Sequence, residues 1–490
     1  MRPLDLAVIA MYFLVTMAIG VWATRSQRTA GDYFLGARNL PAWSVLLSIV
    51  ATETSALTVI SVPGIGARGD LTFLQLPLGY FVGRVVVAYW LLPGYFAGEH
   101  DTAYVRLERR FGVGTRRLIS GAFLVTRFLG DGVRIYAGAI PLALVTGWSI
   151  PASIVAIGGV TLSYAWLGGL KAVVWADVMQ LVIYVAGGIA ALAIAWEMAG
   201  GVSAALTAAA AADKLRVFDF DLNVTSTYTF FGGLVGGAML TAASHGTDHL
   251  IVQRLLATRS LVDARRALIG SGVVVVLQFL LFLLVGSAIW AAGRAPAELG
   301  ADQVFPRFVM DALPPGIAGL VIAGILAAAM STIASSINAL ASAVTLDFYA
   351  SSTGRSDPIH LMRVGRLVSA LWGVALIAGA LGFYWYATGN DTPVVVLALS
   401  IASVTYGALL GTYLLAGIPV VRGVHVASAT VVTLAVMVVV IFAKRLADAE
   451  VAPFLAPIGR LAWPWYVPLG TSLCVATGWL GSQFGRERPS

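Results

Sequence analysis

The sequence is short of charged residues. Only 11% of its 490 residues are Asp, Glu, Lys or Arg, whereas soluble domains have about 25%. The hydrophobic fraction is 59%, and the mean hydropathy is +0.87. These values exclude an ordinary soluble domain and predict a protein that crosses a lipid bilayer several times.

Cysteine and histidine are also scarce. The one cysteine, Cys474, excludes an intramolecular disulfide and a cysteine-based metal cluster. The five histidines form no HExxH motif, and we find no catalytic triad pattern, so we predict that the protein is not an enzyme. The net charge of +7 would suit nucleic acid, but membrane topology explains it better. We therefore expect no nucleic-acid partner, and we infer no obligate protein partner.

Apolar windows of about 20 residues or more predict an all-α polytopic membrane protein with about 13 transmembrane helices. The first window lacks a typical small-residue cleavage site, so we interpret it as a retained helix. We number the windows as spans 1 to 13, and they lie near 5–23, 42–66, 73–96, 117–146, 149–168, 171–198, 228–257, 266–292, 315–347, 363–386, 392–417, 422–443 and 463–482.

The positions of the positive charges predict the topology. With the N-terminus outside, 19 of the 31 Lys and Arg residues fall on inside segments and 9 fall on outside segments. The other 3, Arg84, Arg127 and Arg134, lie within spans. Because cytoplasmic loops carry the excess of Lys and Arg, we expect an external N-terminus and a cytoplasmic C-terminus. The expected location is the cell inner (plasma) membrane, as a multi-pass protein.

Two spans contain breaks at mid-membrane. Span 2 carries the polar run Ser48–Ser55 followed by Val62-Pro-Gly64, and span 7 carries glycine pairs followed by Ser244–Asp248. Corresponding breaks in two halves of a chain are typical of the binding site of a secondary transporter. The breaks are five spans apart, and an odd offset predicts a five-plus-five inverted repeat. We predict one transporter domain over 1–490, with span 1 peripheral, repeats at 40–198 and 228–417, and two peripheral helices at 422–485.

Span 9 carries an unusual stripe of small and hydroxyl residues. Ala328, Ser331, Thr332 and Ser335 follow the spacing i, i+3, i+4, i+7 and share one helical face. Their neutral oxygens suit a small, hard monovalent cation such as sodium and would be a poor site for zinc. In the alternative interpretation, the hydroxyls bond to carbonyls one turn earlier and allow close helix packing.

Five groups of motifs follow one another along the chain. They are Asp32–Pro41, Ala51–Ser55 with Val62-Pro-Gly64, Tyr164–Asp177 with Gln180, Gly246–Arg254, and Ala328–Thr332 with Asp347-Phe-Tyr349. In this order and spacing they resemble the motifs of the sodium:solute symporter family, which has the LeuT-type fold. The resemblance extends over nearly the whole chain.

The resemblance implies a sodium site between spans 2 and 9. Its ligands would be the carbonyl oxygens of Ala51, Thr54 and Ala328 and the hydroxyls of Ser331 and Thr332. An unwound segment that exposes carbonyls beside a helix that supplies hydroxyls suits this assignment.

A second sodium site, known in some members of the family, would use Asp177 and Ser335. Some two-ion members have a serine where this chain has Ala334. In the alternative interpretation, Asp177 bonds to Ser335 or to a backbone group without an ion. In either case, a carboxylate at this depth needs a partner.

The solute is expected at the membrane midplane, between the two broken spans. Glu53 has the alternative role of bracing the broken helix, and His245 that of bonding to a freed carbonyl. We expect Asp248 to pair with Arg254. The candidate solute ligands on the two broken spans are Thr52, Glu53, Ser55, Thr58, Ser244 and His245.

Span 4 adds Arg127, Asp131 and Arg134, which share one helical face. Either they form an internal salt-bridge ladder, or their net positive charge attracts an organic anion. Arg84 either joins this cluster or extends toward the membrane interface. Sugar-transporting relatives place polar side chains where this chain has Leu57 and Thr58, which disfavours a sugar.

We therefore predict a sodium-coupled secondary active symporter that imports a small organic solute by alternating access. Na⁺ is the expected coupling ion, and the solute and the lipid bilayer are the expected partners. A proton-coupled symporter is the alternative within the same class. A transporter-like sensor is disfavoured because the sequence ends at Gly485–Ser490 with no catalytic tail.

Overall fold

The computed structural model describes residues 2–25, 27–98, 102–387 and 394–484. Within these ranges the chain is helical, and its β-type pairing is confined to an isolated bridge between Leu40 and Thr258. A helix lies at each predicted window. By length and composition, seven described helices could each cross a membrane, or eight when the two halves of span 2 count as one. The total of 13 spans stays a prediction.

The helices at the predicted spans are, in chain order, Pro3–Thr24, Ala42–Glu53 with Ala56–Arg68, Thr72–Phe96, Val113–Thr146, Ile150–Met198 for spans 5 and 6, Gly237–Gly246 with His249–Leu256, Leu261–Ala291, Ile317–Ala343, Pro358–Ala387, Val394–Leu415, Gly423–Asp448 and Tyr466–Phe484. A wide π-type segment, Gly232–Gly236, precedes the helix of span 7. Shorter helices that the hydropathy pattern did not predict are Ala30–Leu35, Val105–Phe111, Val202–Ala211 and Ala301–Ala312.

Span 2 is broken as predicted. Its first helix ends at Glu53, and Thr54 takes an extended conformation with φ −77° and ψ 107°. Ser55 caps the second helix, because its hydroxyl accepts a 3.4 Å hydrogen bond from the Thr58 amide. The two halves are bent by 66°. The break leaves the last carbonyls of the first helix without amide partners of their own helix.

Span 7 is broken after Gly246. Asp248 is extended, with φ −81° and ψ 125°, and its carboxylate accepts a 2.9 Å hydrogen bond from the Leu250 amide. Asp248 therefore acts as the N-cap of the following helix. Both predicted breaks are present, five spans apart.

Glycines allow the second half of span 2 to lie directly against span 8. A Cβ atom on Gly286 would overlap the Pro63 carbonyl, and one on Gly66 would overlap the Leu283 carbonyl. The absence of side chains at these contacts lets the two backbones touch. The position of the broken helix is therefore fixed by backbone contacts as well as by side chains.

Span 9 lies at the centre of the protein. Nearly every residue from Ala318 to Ala343 is buried, and this helix packs on spans 1, 2, 4, 6 and 10. A helix buried on all sides has no lipid-facing surface, so its polar face must meet other parts of the protein.

Spans 5 and 6 form one helical run, Ile150–Met198, interrupted at Gly169. Gly169 has φ +51° and ψ −156°, a conformation that favours glycine. A Cβ atom there would lie 2.5 Å from the Tyr33 carbonyl oxygen. A single residue therefore makes the joint between the two spans.

Candidate functional site

The hydroxyl stripe of span 9 faces the break in span 2. Thr332 Oγ1 lies 3.2 Å from the Thr52 carbonyl oxygen and 3.4 Å from the Ala328 carbonyl oxygen. Ser335 Oγ donates to the Ser331 carbonyl at 2.7 Å. The bonds to Ala328 and Ser331 are the back-bonds of the alternative interpretation, while the contact with Thr52 joins the stripe to the broken helix.

Ser331 points toward span 6, where its hydroxyl donates to Asp177 Oδ1 at 2.6 Å. Both residues are fully buried. A hydroxyl that donates its proton keeps lone pairs for a cation. The hydrogen bond thus leaves the Ser331 oxygen able to accept an ion on its other side.

Thr54 is fixed by span 8. The Gln278 amide nitrogen donates to Thr54 Oγ1 at 2.7 Å, and Tyr184 donates to Gln278 Oε1 at 3.2 Å. Gln278 was absent from our predicted site. The available signal was a single amide side chain inside an otherwise apolar run, since such a group needs a partner in the membrane.

Asp177 forms a buried ion pair with Arg254, whose Nη2 lies 3.2 Å from Asp177 Oδ2. Ser48 donates to the same carboxylate oxygen at 2.5 Å and accepts from Arg254 Nε at 2.9 Å. Ser335 also contacts Arg254. A guanidinium therefore provides the positive charge beside Asp177. Arg254 lies in the second helix of span 7, His249–Leu256, and its side chain is fully buried.

The expected pair between Asp248 and Arg254 is also wrong. Asp248 instead pairs with Arg127, at 2.5 Å between Oδ2 and Nη2. Arg134 pairs with Asp131 at 2.9 Å, and Arg127 lies 3.9 Å from Asp131. Two arginines thus face two aspartates, so the cluster carries no net formal charge. This is the salt-bridge ladder that was one of our two interpretations, extended to span 7.

Glu53 contacts a fourth arginine, Arg84 of span 3. Arg84 Nη2 forms an ion pair with Glu53 and lies 3.1 Å from His245 Nε2. Arg84 Nε donates to Ser271 Oγ at 3.1 Å. Arg84 thus joins spans 2, 3, 7 and 8. The expectations that it joins the span 4 cluster or extends to the interface were both wrong, because its side chain is fully buried beside Glu53.

Glycines explain how Arg84 reaches the break. Gly79 and Gly83 in span 3 lie against the backbone of span 7 at Gly233 and Ala238. In span 8, a Cβ atom on Gly272 would lie 3.0 Å from Arg84 Cδ. Close packing without side chains places the guanidinium next to both broken spans.

The other predicted solute ligands lie around the same break. Thr52 Oγ1 lies 3.2 Å from Ser335 Oγ and 3.3 Å from Asp177 Oδ2. Ser55 and Thr58 are half-buried, and their hydroxyls lie 3.4 Å apart. Ser244 Oγ lies 2.9 Å from His245 Nδ1. Among the described residues, His245 therefore bonds to the side chains of Arg84 and Ser244 and not to the freed carbonyl of our alternative interpretation.

Comparison with known proteins agrees with this architecture. The sequence matches the sodium:solute symporter family over residues 33–420. The chain belongs to the sodium:solute symporter family. The prediction of a sodium-coupled symporter rather than an enzyme is thereby confirmed at the level of the family, whose members transport small solutes.

Individual relatives agree in function class. The human sodium/iodide cotransporter is 33% identical over 77% of this chain and 60% of its own length. The sodium/sialic acid symporter of Proteus mirabilis is 28% identical over 90% of this chain and 89% of its own length. This chain thus spans less than two thirds of the human relative and most of the bacterial one.

A solved structure supports the fold. The substrate-bound, outward-open structure of a Na⁺-coupled sialic acid symporter has a TM-score of 0.85 with this chain at 25% identity, and it covers 99% of this chain and 98% of that chain. The predicted LeuT-type fold is confirmed, and the protein is a multi-pass membrane protein. The predicted repeat boundaries stay predictions.

Proposed function

We propose that this protein couples inward movement of sodium to the import of a small organic solute by alternating access. The observation that carries the proposal is the contact between the hydroxyl face of span 9 and the break in span 2, where Thr332 Oγ1 lies 3.2 Å from the Thr52 carbonyl. Backbone oxygens freed by a broken helix and neighbouring hydroxyls are suitable ligands for a monovalent cation.

The proposed sodium ligands are the carbonyls of Ala51, Thr54 and Ala328 with the hydroxyls of Ser331 and Thr332. All five residues are buried, and the oxygens are neutral, so the ion can leave without breaking an ion pair. Asp177 supports the site through Ser331, from whose hydroxyl it accepts a hydrogen bond. The buried pair of Asp177 with Arg254 favours one sodium ion per cycle, because the guanidinium already balances this carboxylate.

The proposed solute site lies between the broken spans, around Thr52, Glu53, Ser55, Thr58 and His245. Thr52 and Glu53 follow Ala51 directly, so the solute and the ion would bind to neighbouring residues of the same short segment. Sodium would then order the solute site, and each ligand would raise the affinity for the other.

The span 4 arginines are not part of this proposal, since Asp131 and Asp248 neutralise them. The named relatives carry sialic acid and iodide, both anions, which favours an anionic solute here as well.

We also propose that the N-terminus lies outside and the C-terminus in the cytoplasm of the inner (plasma) membrane, with repeats at 40–198 and 228–417. The distribution of Lys and Arg supports the topology. The offset of five spans between the break in span 2 and the break in span 7 supports the repeats.

The sodium site is tested with purified protein, by measuring its melting temperature as sodium chloride replaces choline chloride. We expect a rise in the melting temperature with sodium that is lost in the double variant Ser331→Ala and Thr332→Ala. Ser336→Ala is the matched control, because its hydroxyl is buried on the same helix and has no hydrogen-bond partner among the described residues. A sodium response that survives in the double variant contradicts the site.

Transport is tested in proteoliposomes with an inward sodium gradient, using solutes that change the melting temperature. We expect uptake to stop when choline replaces sodium. Uptake that follows a proton gradient and ignores sodium would favour the proton-coupled alternative.

A further inference from the structure

One nitrogen of Arg84 lacks a hydrogen-bond partner in the part of the chain that the structure describes. Its Nε donates to Ser271, and its Nη2 contacts Glu53 and His245. Among the described residues, no hydrogen-bond acceptor reaches Nη1, although this nitrogen is buried. A buried charged group with an unused donor is costly, so a hydrogen-bond acceptor at this position would be stabilising.

The unused donor lies beside the broken helix. The Arg84 side chain is fully buried, while the Glu53 side chain is 18% exposed. Ser55 and Thr58, just beyond the break, are also half-buried. Residual exposure on this side indicates that Glu53 borders an accessible space while Arg84 lies behind it.

The other two arginine clusters described near the breaks each carry no net formal charge. Arg254 donates from all three of its nitrogens, to Ser48, Leu250 and Asp177. Arg127 and Arg134 face two aspartates. Of the described clusters near the breaks, the one at Arg84 combines an unused guanidinium donor with a partly exposed carboxylate.

We propose that Arg84 Nη1 binds a carboxylate oxygen of the solute, which makes the solute an organic monocarboxylate. The proposal rests on the proposed function and deepens it. A guanidinium offers donors in a planar arrangement that suits a carboxylate. Glu53 stays on Nη2 and keeps the empty site neutral.

Charge balance then explains why the solute needs sodium. The pair of Arg84 and Glu53 is neutral, so a carboxylate that binds alone adds one uncompensated negative charge to a buried site. Sodium beside Thr54 supplies the opposite charge within one residue of Glu53 along the chain. The two ligands therefore bind as a neutral pair, and each raises the affinity of the site for the other.

The test measures the melting temperature of the full-length protein in sodium chloride and in choline chloride. The probes are acetate, lactate, pyruvate, nicotinate and sialic acid, each compared with its primary amide. We expect at least one carboxylate to raise the melting temperature only with sodium, and its amide to bind about tenfold or more weakly, because a charge-assisted hydrogen bond is lost.

The variant that carries the test is Arg84→Gln with Glu53→Gln, which removes both charges and leaves no unpaired ion. We expect it to keep the response to sodium alone and to lose the carboxylate response. Arg134→Gln tests the competing cluster, and Arg307→Gln, an exposed arginine paired with Asp311, is the control. Both are expected to keep the carboxylate response.

Each outcome decides between the two proposals. A response to sodium alone, with no response to any carboxylate or with equal binding of the amides, overturns the carboxylate assignment and leaves the proposed function intact. A carboxylate response that persists in the double variant, or is lost in Arg134→Gln, also overturns it. A wild-type protein that ignores sodium contradicts the proposed function itself.

Discussion

Ser331 and Asp177 are joined by a 2.6 Å hydrogen bond that links span 9 to span 6. The opposite carboxylate oxygen of Asp177 lies 3.2 Å from Arg254 Nη2. One fully buried carboxylate thus orients a proposed sodium ligand and neutralises a buried arginine. The two tasks are separable by mutation.

Asp177→Asn is expected to destabilise the protein by about 3–5 kcal/mol, because it leaves Arg254 as an uncompensated buried charge. Asp177→Asn combined with Arg254→Gln should recover most of that loss. The double variant should still need more sodium for half-maximal stabilisation, since Ser331 is no longer held by a charged acceptor. Melting temperatures measured against sodium concentration check both effects. A double variant that is less stable than the single variant would contradict the expected recovery.

Gly286→Ala is expected to prevent normal packing of span 2 on span 8, because the new Cβ would overlap the Pro63 carbonyl. Overpacking of this kind costs about 1–3 kcal/mol or more. Gly121→Ala is the control, since a Cβ there meets no atom of the described residues within 4 Å. The yield and melting temperature of purified protein measure the difference. Equal behaviour of the two variants would show that the backbone contact is unimportant.

Transport of a monocarboxylate with one sodium ion is expected to be electroneutral. Moving one elementary charge across 100 mV is worth about 2.3 kcal/mol, or about a fifty-fold change in solute accumulation. We expect an imposed potassium diffusion potential to leave accumulation in proteoliposomes unchanged. A rise of about fifty-fold at −100 mV would instead indicate one net positive charge per cycle, as for a neutral solute or a second sodium ion.

An ion pair just beyond span 2, between Asp70 and Arg216, should respond to acid. Asp70 lies outside the membrane-spanning segments and accepts hydrogen bonds from Thr72 at 2.6 Å and Arg216 Nη2 at 2.9 Å. Burial raises the pKa of Asp70, but the hydrogen bonds from Thr72 and the Arg216 guanidinium outweigh it and hold the pKa below its usual value.

Because the pKa is lowered on folding, the unfolded chain binds the proton more readily. The stabilisation from Asp70 is therefore present above the usual aspartate pKa of about 3.9 and is lost as the pH falls through the lower folded value. Asp70→Asn should lower the melting temperature at pH 7 and flatten its decline below about pH 4. Asp311→Asn, at an exposed helix position, serves as the reference. An unchanged acid profile in Asp70→Asn would rule out this contribution.

The sequence alone was sufficient for the features that local patterns determine. The polar run before Ser55 and the Gly246–Asp248 segment marked both breaks, because unpaired backbone groups in a membrane require polar neighbours. The spacing from Ala328 to Ser335 marked the hydroxyl face, since helical periodicity fixes which residues share a side.

The partners of the buried charges could not be predicted in the same way. Arg84, Arg127 and Arg254 each pair with an acid from another span, and the pairing depends on how the spans pack. That packing is set partly by glycine contacts such as Gly83 on Ala238. Proximity along the chain suggested Asp248 for Arg254, but the N-cap conformation of Asp248 places its carboxylate beside Arg127 instead.

Gly169 is the whole connection between spans 5 and 6, and the consequence is mechanical. Consecutive Cα atoms are about 3.8 Å apart, so the two helix ends that meet at this residue can never separate by more than about 7.6 Å. With Tyr33 packed against the joint, there is no slack to absorb a displacement. A displacement of the joined end of one span during the transport cycle must therefore move the adjoining end of the other, whereas the angle between the two spans is set by the dihedral angles of Gly169.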